Sequence, residues 1–480
     1  MEIAGIPSVL LEYSDQINIV RTSALMAGCP NIRVVDVPRI GHADETVATY
    51  IDKVPKALTD SLTAKEQEAG LYAPPEPPHI LFEGTSDECQ DFLQQTMLVE
   101  NCRNCPICKY TDGLPVIIPT EEKVREMLTG TSHSGNDPIL SLSTMAPGGL
   151  MKNPQQAGTP YDFGQGRTAT VEKVAICAVM AGCLPEYMPI ALTMAHTGQG
   201  YLGYYQTSSP QGTWFVVSGP IAKEIGMNAG QEALDTGNRA NMTLGRVAAL
   251  MWVNFGGQTP GVGRSDSGSP IHSLCFAEDI EANPSGWVGY NEECTYRNED
   301  GDRVNFTAED SVLGRSGSTF VDEPRISFPG YYRSLNQGEM GIARMLGVEG
   351  IPGYYNWLKP VLDRVWRGSA GGVCFVMHPS LAQILYDYGF KTKAACYQWM
   401  NDEYTITVED YYNTGLWEFM VASFPFSPVE GKTWDELLAT DPGYLLHPFG
   451  RNCIIVSDGF QDEHWYMTGS PSGYGIDQWR

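Results

Sequence analysis

Apolar and polar positions along the chain fall into three kinds of pattern, each predicting a different element. Short runs rich in β-branched and aromatic residues predict buried strands. They are Pro7-Ser8-Val9-Leu10-Leu11-Glu12-Tyr13, Ile32-Arg33-Val34-Val35-Asp36-Val37-Pro38, Trp214-Phe215-Val216-Val217-Ser218-Gly219-Pro220 and Asn452-Cys453-Ile454-Ile455-Val456-Ser457. Apolar residues at helical spacing predict helices, most clearly over Val171 to Cys183. There Thr170 is the expected N-cap, Glu172 sits in the first turn, and Val174, Ala175, Ala178, Val179 and Cys183 recur on one side. Further helices are predicted over 15–28, 44–63 and 241–254. The first carries Ile17, Val20, Ala24 and Leu25 and is stopped by Gly28-Cys29-Pro30. Two stretches carry neither pattern. Residues 64–80, with Pro74-Pro75-Glu76-Pro77-Pro78, predict a stiff extended linker, and 256–270 a Gly-rich loop.

Strand, helix and strand over 7–38 predict a right-handed, Rossmann-like β-α-β unit. Two parallel strands do not make a stable sheet, because such strands need cover on both faces and neighbours at both edges. The remaining strands must come from later in the chain or from another polypeptide. The expected fold class is α/β. A partial Rossmann-like domain is expected over 1–63, a Pro-rich linker with a Cys-rich segment over 64–109, and a large mixed α/β (α+β) domain over 110–480. No internal repeat stands out at solenoid periods.

Composition narrows the partners rather than the reaction. Of 480 residues 42% are hydrophobic, and 10 Trp, 24 Tyr and 16 Phe supply ample core, which excludes a disordered chain. The formal charge of −26 repels phosphate backbones and anionic lipid surfaces, and no basic run offsets it, so nucleic acid is not an expected partner. No window offers the roughly 18–20 apolar residues of a membrane helix. The opening Met1-Glu2-Ile3-Ala4-Gly5-Ile6-Pro7 lacks the basic and apolar regions of a signal peptide. With 12 cysteines and no export signal, a cytoplasmic protein with reduced thiols is expected.

Several clusters carry chemistry. Cys102, Cys105 and Cys108 form two C-x-x-C steps, with Cys89 as a candidate fourth ligand for zinc or an iron–sulfur cluster. The alternative is a set of structural thiols or a redox pair, since the four-ligand spacing is incomplete. Gly261-Val262-Gly263-Arg264 lacks both the G-x-G-x-x-G spacing and the P-loop lysine. Asn238, Arg239 and Asn241, just before a helix, make a candidate carboxylate or phosphate cradle; the alternative is an N-cap with a surface Arg. His272, Cys275 and Glu278 bring a base, a thiol and a carboxylate close in sequence, against the alternative of a buried structural Cys275. A ligand of the opening β-α-β unit should lie at the strand carboxyl ends, near Glu12, Tyr13 and Ser14. Cys177 and Cys183 are expected in the core, and His196, His378 and His447 are given no role.

Ala4-Gly5-Ile6-Pro7-Ser8-Val9-Leu10-Leu11 and Leu25-Met26-Ala27-Gly28-Cys29-Pro30-Asn31-Ile32-Arg33-Val34-Val35-Asp36-Val37-Pro38 resemble the latter part of the UGSC-motif (seleno)protein family. Thr111 to Thr120, Thr170 to Ala175, Ala178 to Tyr187 and Gly237 to Asn241 resemble proteins associated with that family. The U/C-G-S-C motif itself does not occur in this sequence. The resemblance implies that the reactive thiol or selenol sits on a second protein subunit, which completes the N-terminal sheet, while this chain forms the other wall of the site. The leading expectation is therefore a subunit of a thiol- or selenol-dependent enzyme acting on a small anionic molecule by reductase, lyase or hydratase chemistry. A metal or iron–sulfur enzyme and a non-catalytic structural subunit are the alternatives.

Overall fold

The computed structural model describes residues 9–14, 17, 20–21, 24, 31–38, 47–67, 78–99, 105–141, 158–161, 163, 167–198, 213–255, 273–298, 300–316, 320–321, 373–387, 389–403, 405–413, 417, 427–447, 452–457, 464–468 and 471–480. It is a mixed α/β structure with several small sheets. Contacts divide the chain into two compact units. Unit 1 holds Met1–Ala146, Met151–Gln211 and Arg246–Ser269; unit 2 holds Pro147–Leu150, Gly212–Gly245 and Pro270–Arg480.

In unit 1, β1 (Leu10–Tyr13) and β2 (Val34–Val37) pair in parallel, with residues 17, 20, 21 and 24 helical between them. The β-α-β outline is there, but the sheet has two strands among the described residues, so a Rossmann-like domain is not established. Among the described residues of 47–63, Val47 is helical, 48–52 form turns, and the helix α1 spans Lys53–Thr59 and buries no residue. Arg33 closes its end by donating to the carbonyls of Ala57, Asp60 and Ser61, while pairing in fork geometry with Glu66 at 2.7 and 3.0 Å. Helix α2 (Ser86–Leu93) starts with a Thr85–Glu88 capping box. Then β3 (Thr96–Val99) and β4 (Cys105–Cys108) pair antiparallel, so the second C-x-x-C step lies in a strand.

Helix α3 (Glu121–Met127) leads to the core of unit 1, which is made by α4 (Val171–Ala181) and α5 (Met188–His196). Thr170 caps α4 as expected by accepting from the Lys173 amide, and Gly182 ends it at φ 91°. That left-handed conformation is why the helix stops two residues before Cys183. All nine residues of α5 are buried, in keeping with a segment that is apolar nearly all round. Arg246 anchors the loop before α3 by bonding both oxygens of Asp112, at 2.8 and 2.9 Å, and the carbonyls of Leu114 and Pro115.

Unit 2 is built on two four-stranded sheets. The strands are β5 (Thr213–Ser218), β6 (Ser273–Ala277), β9 (Val312–Ser316), β10 (Phe320–Val321), β11 (Val373–Met377), β14 (Cys453–Val456), β15 (His464–Thr468) and β16 (Ser472–Gly475). Small ribbons, β7 (Thr295–Arg297) with β8 (Arg303–Asn305) and β12 (Ile406–Thr407) with β13 (Leu445–Leu446), flank them. One sheet has the order β16-β9-β5-β6 and the other β10-β15-β11-β14. In each, the last two strands are parallel and the other pairings antiparallel. The sheets therefore repeat one pattern, and each takes its outermost strand from the segment that builds the other.

The match extends to detail. The Glu278 amide donates to Val217 O in the first sheet, and the Ser457 amide to Met377 O in the second. Short helices starting at proline follow β5 and β11: α6 (Pro220–Glu224) and α9 (Pro379–Asp387). The helices α7 (Arg239–Asn254) and α10 (Lys393–Glu403) come next, their first turns capped by Asn238 and Thr392, whose side chains accept from the amides of Asn241 and Ala395. Gly219 opens the α6 turn at φ 109°, where a Cβ would stand 2.4 Å from the Asp310 carbonyl, so only glycine fits.

Alternate residues of both sheets meet in one core: Trp214, Val216, Phe276 and Val312 with Cys374, Val376, Cys453 and Ile455. A smaller cluster forms where α11 (Val408–Asn413) and α12 (Trp434–Thr440) enclose Tyr411, Trp417 and Trp434.

Candidate functional site

Open α/β sheets hold ligands at the carboxyl ends of parallel strands, and among the described residues polar groups gather at the ends of the pairs β1–β2 and β5–β6. In unit 1 the Ser14 amide donates to Val37 O at 3.2 Å, its hydroxyl donates to the Asp36 carboxylate, and the Tyr13 amide donates to the Glu12 carboxylate at 2.9 Å. Glu12 and Ser14 thus stand where the strand reading put them, each engaged with its neighbours.

The second place lies in unit 2, at the ends of β5 and β6. Ser218, the last residue of β5, points the same way as Trp214 and Val216, and Glu278, just past β6, the same way as Phe276. The Ser218 hydroxyl donates to Glu278 Oε2 at 2.6 Å, and the Tyr290 amide, in α8 (Tyr290–Glu293), donates to the same oxygen at 2.7 Å. The ammonium of Lys393, from the first turn of α10, reaches Glu278 Oε1 at 3.1 Å. Both side chains are shut off from water, at 1% and 0% exposure. Lys393 also lies 3.8 Å from Glu293, whose carboxylate accepts from the Tyr397 hydroxyl at 3.1 Å and is 21% exposed. Tyr397 in turn accepts from the Ile454 amide of β14. Asn291 donates its amide to Ser218 Oγ and its side-chain NH2 to the carbonyls of Thr307 and Asp310.

Burial opposes the charge on Lys393, but the carboxylates of Glu278 and Glu293 outweigh it and hold the ammonium above its usual value. Burial also pushes the hydroxyl of Tyr397 well up, with Cys453 and Glu293 adding to it. A chain of donors and acceptors thus runs from the solvent-reaching Glu293 through Lys393 and Glu278 to Ser218. Its groups face one another, and the arrangement ties two strand ends to α8 and α10.

No protein-family model, characterised protein or solved structure matches the chain.

Of the residues expected to act together with Glu278, Cys275 is buried in β6 but three positions away, on the strand's other face. His272 lies outside the described residues, as do the 256–270 loop and Cys102. Cys105 is described in its backbone alone. Cys108 Sγ lies 3.9 Å from Gln94 O, and Cys89 Sγ 3.6 Å from Gly84 O. Among the described residues, no three of His, Cys, Asp and Glu gather as a metal site would need. Asn241 is buried, its carbonyl taken by the Asn228 amide and its NH2 by the carbonyls of Asn228 and Ala233. Asn238 donates to Gly226 O and caps α7, while Arg239 is exposed. The two amides of the proposed cradle therefore build the loop 226–241 itself.

Sequence reasoning missed Ser218, Asn291, Glu293, Lys393 and Tyr397. One signal was present. A lysine in the first helical turn after Thr392 works against the helix dipole, which asks for a nearby carboxylate in compensation.

Proposed function

We propose that the chain is a subunit of a thiol- or selenol-dependent enzyme acting on a small anionic molecule, with the reactive group carried by a second polypeptide. The parallel pair β1–β2 carries the reading. Parallel strands normally lie covered within larger sheets, yet Leu10 and Leu11 are 36% and 44% exposed, and the pair has no third strand among the described residues. An added strand would give β1 or β2 a neighbour and cover those leucines. The chain's own buried thiols support a reactive group from elsewhere. Burial pushes Cys177 and Cys396 up to about 12, and Cys453 well above the ordinary thiol value, so the nucleophilic thiolate is suppressed in all three.

The test is to co-express the chain with a polypeptide bearing a C-G-S-C motif and to follow complex formation by native mass spectrometry. Hydrogen exchange over 10–13 and 34–37 reads the sheet directly. A complex that slows exchange of the β1 and β2 amides supports the proposal. No complex, together with slow exchange at both strands in the chain alone, refutes it.

A further inference from the structure

A cavity of about 760 Å³ lies alongside β2 and α1 in unit 1, and its walls carry an excess of positive charge. Arg21, Arg33, Lys53, Lys56 and Lys65 line it. Asp36, Asp60 and Glu66 are its acidic residues. Arg33 and Glu66 neutralise each other in their forked pair, which holds the Glu66 carboxyl down at about 2. Four cations then remain against two carboxylates, and Asp36 already accepts from the Ser14 hydroxyl. This balance stands out in a chain of net charge −26, in which acidic side chains outnumber basic ones 57 to 31.

The four remaining cations are not spent on structure. Lys53, Lys56 and Lys65 are exposed, as is Arg21, and none of them forms an ion pair among the described residues. Lys53 and Lys56, three apart on α1, lie one turn apart on one side of the helix. Like charges held this close repel one another, a cost that a bound anion removes. Ammonium groups suit phosphate as point charges, and the cavity has the volume of a small-ligand site.

We infer that this cavity binds a small, multiply charged anion of the phosphate-ester type, with Lys53, Lys56, Lys65 and Arg21 as its counter-charges. The inference names the anion class of the proposed function and a site for it, but the binding itself does not depend on a partner.

The test is calorimetric titration of the isolated chain with pyrophosphate at low salt. Lys53→Gln/Lys56→Gln and Lys65→Gln are the variants, with Lys123→Gln on α3 as control. Since α1 buries nothing, the double variant keeps its fold, and circular dichroism verifies that. Saturable binding is expected, weakened about tenfold or more in the double variant, unchanged in the control and reduced by added salt. Absence of pyrophosphate binding, or equal binding by all variants, overturns the inference. Binding of a polyglutamate peptide without pyrophosphate binding overturns it too, and marks the cavity as a dock for an acidic segment. A negative result here leaves the partner-completed sheet standing, and failure to find a partner leaves this binding standing.

Discussion

Replacing Lys393 with Met strips a fully buried carboxylate of its counter-ion. Glu278 would keep two neutral donors, the Ser218 hydroxyl at 2.6 Å and the Tyr290 amide at 2.7 Å, and lose the ammonium at 3.1 Å. Removing one partner of a buried pair costs about 3–5 kcal/mol, and the two surviving hydrogen bonds place this case near the lower end, about 3 kcal/mol. Glu278→Gln keeps an amide oxygen for Ser218 and Tyr290 but turns its NH2, a donor, toward the Lys393 ammonium, so it should cost about as much, with Glu293 at 3.8 Å the remaining counter-charge. The double variant Lys393→Met/Glu278→Gln should be more stable than the sum of the single costs allows, by about 2 kcal/mol of coupling. Urea unfolding followed by tryptophan fluorescence reads this, with Trp214 and Trp434 buried in unit 2 as reporters. Two units need not unfold together, so native-state hydrogen exchange at β6 and β14 gives the local free energy independently. The pH dependence has a definite sign. Lys393 is raised in the folded state, so its contribution is complete below the unfolded lysine value of about 10.4 and fades as the pH climbs through the higher folded value. Lys393→Met should flatten that alkaline limb. A cost below about 1 kcal/mol, or strictly additive single costs, would show that the pair does not tie the strand ends to α8 and α10.

Three further outcomes follow from the geometry. Asn241→Ala leaves the Asn228 amide and two carbonyls without their partner and should cost about 2–3 kcal/mol, read as a lower denaturation midpoint. Gly182→Ala forces a side chain onto φ 91° at the end of α4 and should cost about 1–2 kcal/mol, whereas Gly443→Ala, with open space and an ordinary φ, should be nearly neutral in the same melt. Cys177 and Cys396, pushed up to about 12 by burial, should resist iodoacetamide at neutral pH in the native protein while half-exposed Cys89 and Cys108 are labelled; mass spectrometry of the alkylated peptides decides it.

What the sequence determined by itself was local. Thr170, Glu172 and the apolar spacing from Val174 to Val179 announced α4 and its start, because a cap and a helical period are read within one turn of chain. Short apolar runs marked β1, β2, β5 and β14 to within a few residues, and β5 and β14 are buried on both faces, as such runs lead one to expect. Burial decided the rest through partners far apart in the chain. Glu278 meets Ser218 across 60 residues and Lys393 across 115, separations at which residue periodicity carries no information. The repeated sheet pattern of unit 2 was equally hidden. Its likeness lies in strand order and direction, and the exchanged strands β10 and β16 reach their sheets only when the whole chain has closed. The same holds for the cation-lined cavity. Arg21, Lys53, Lys56 and Lys65 are scattered single charges in an acidic sequence, and only the packing of α1 beside β2 sets them around one space.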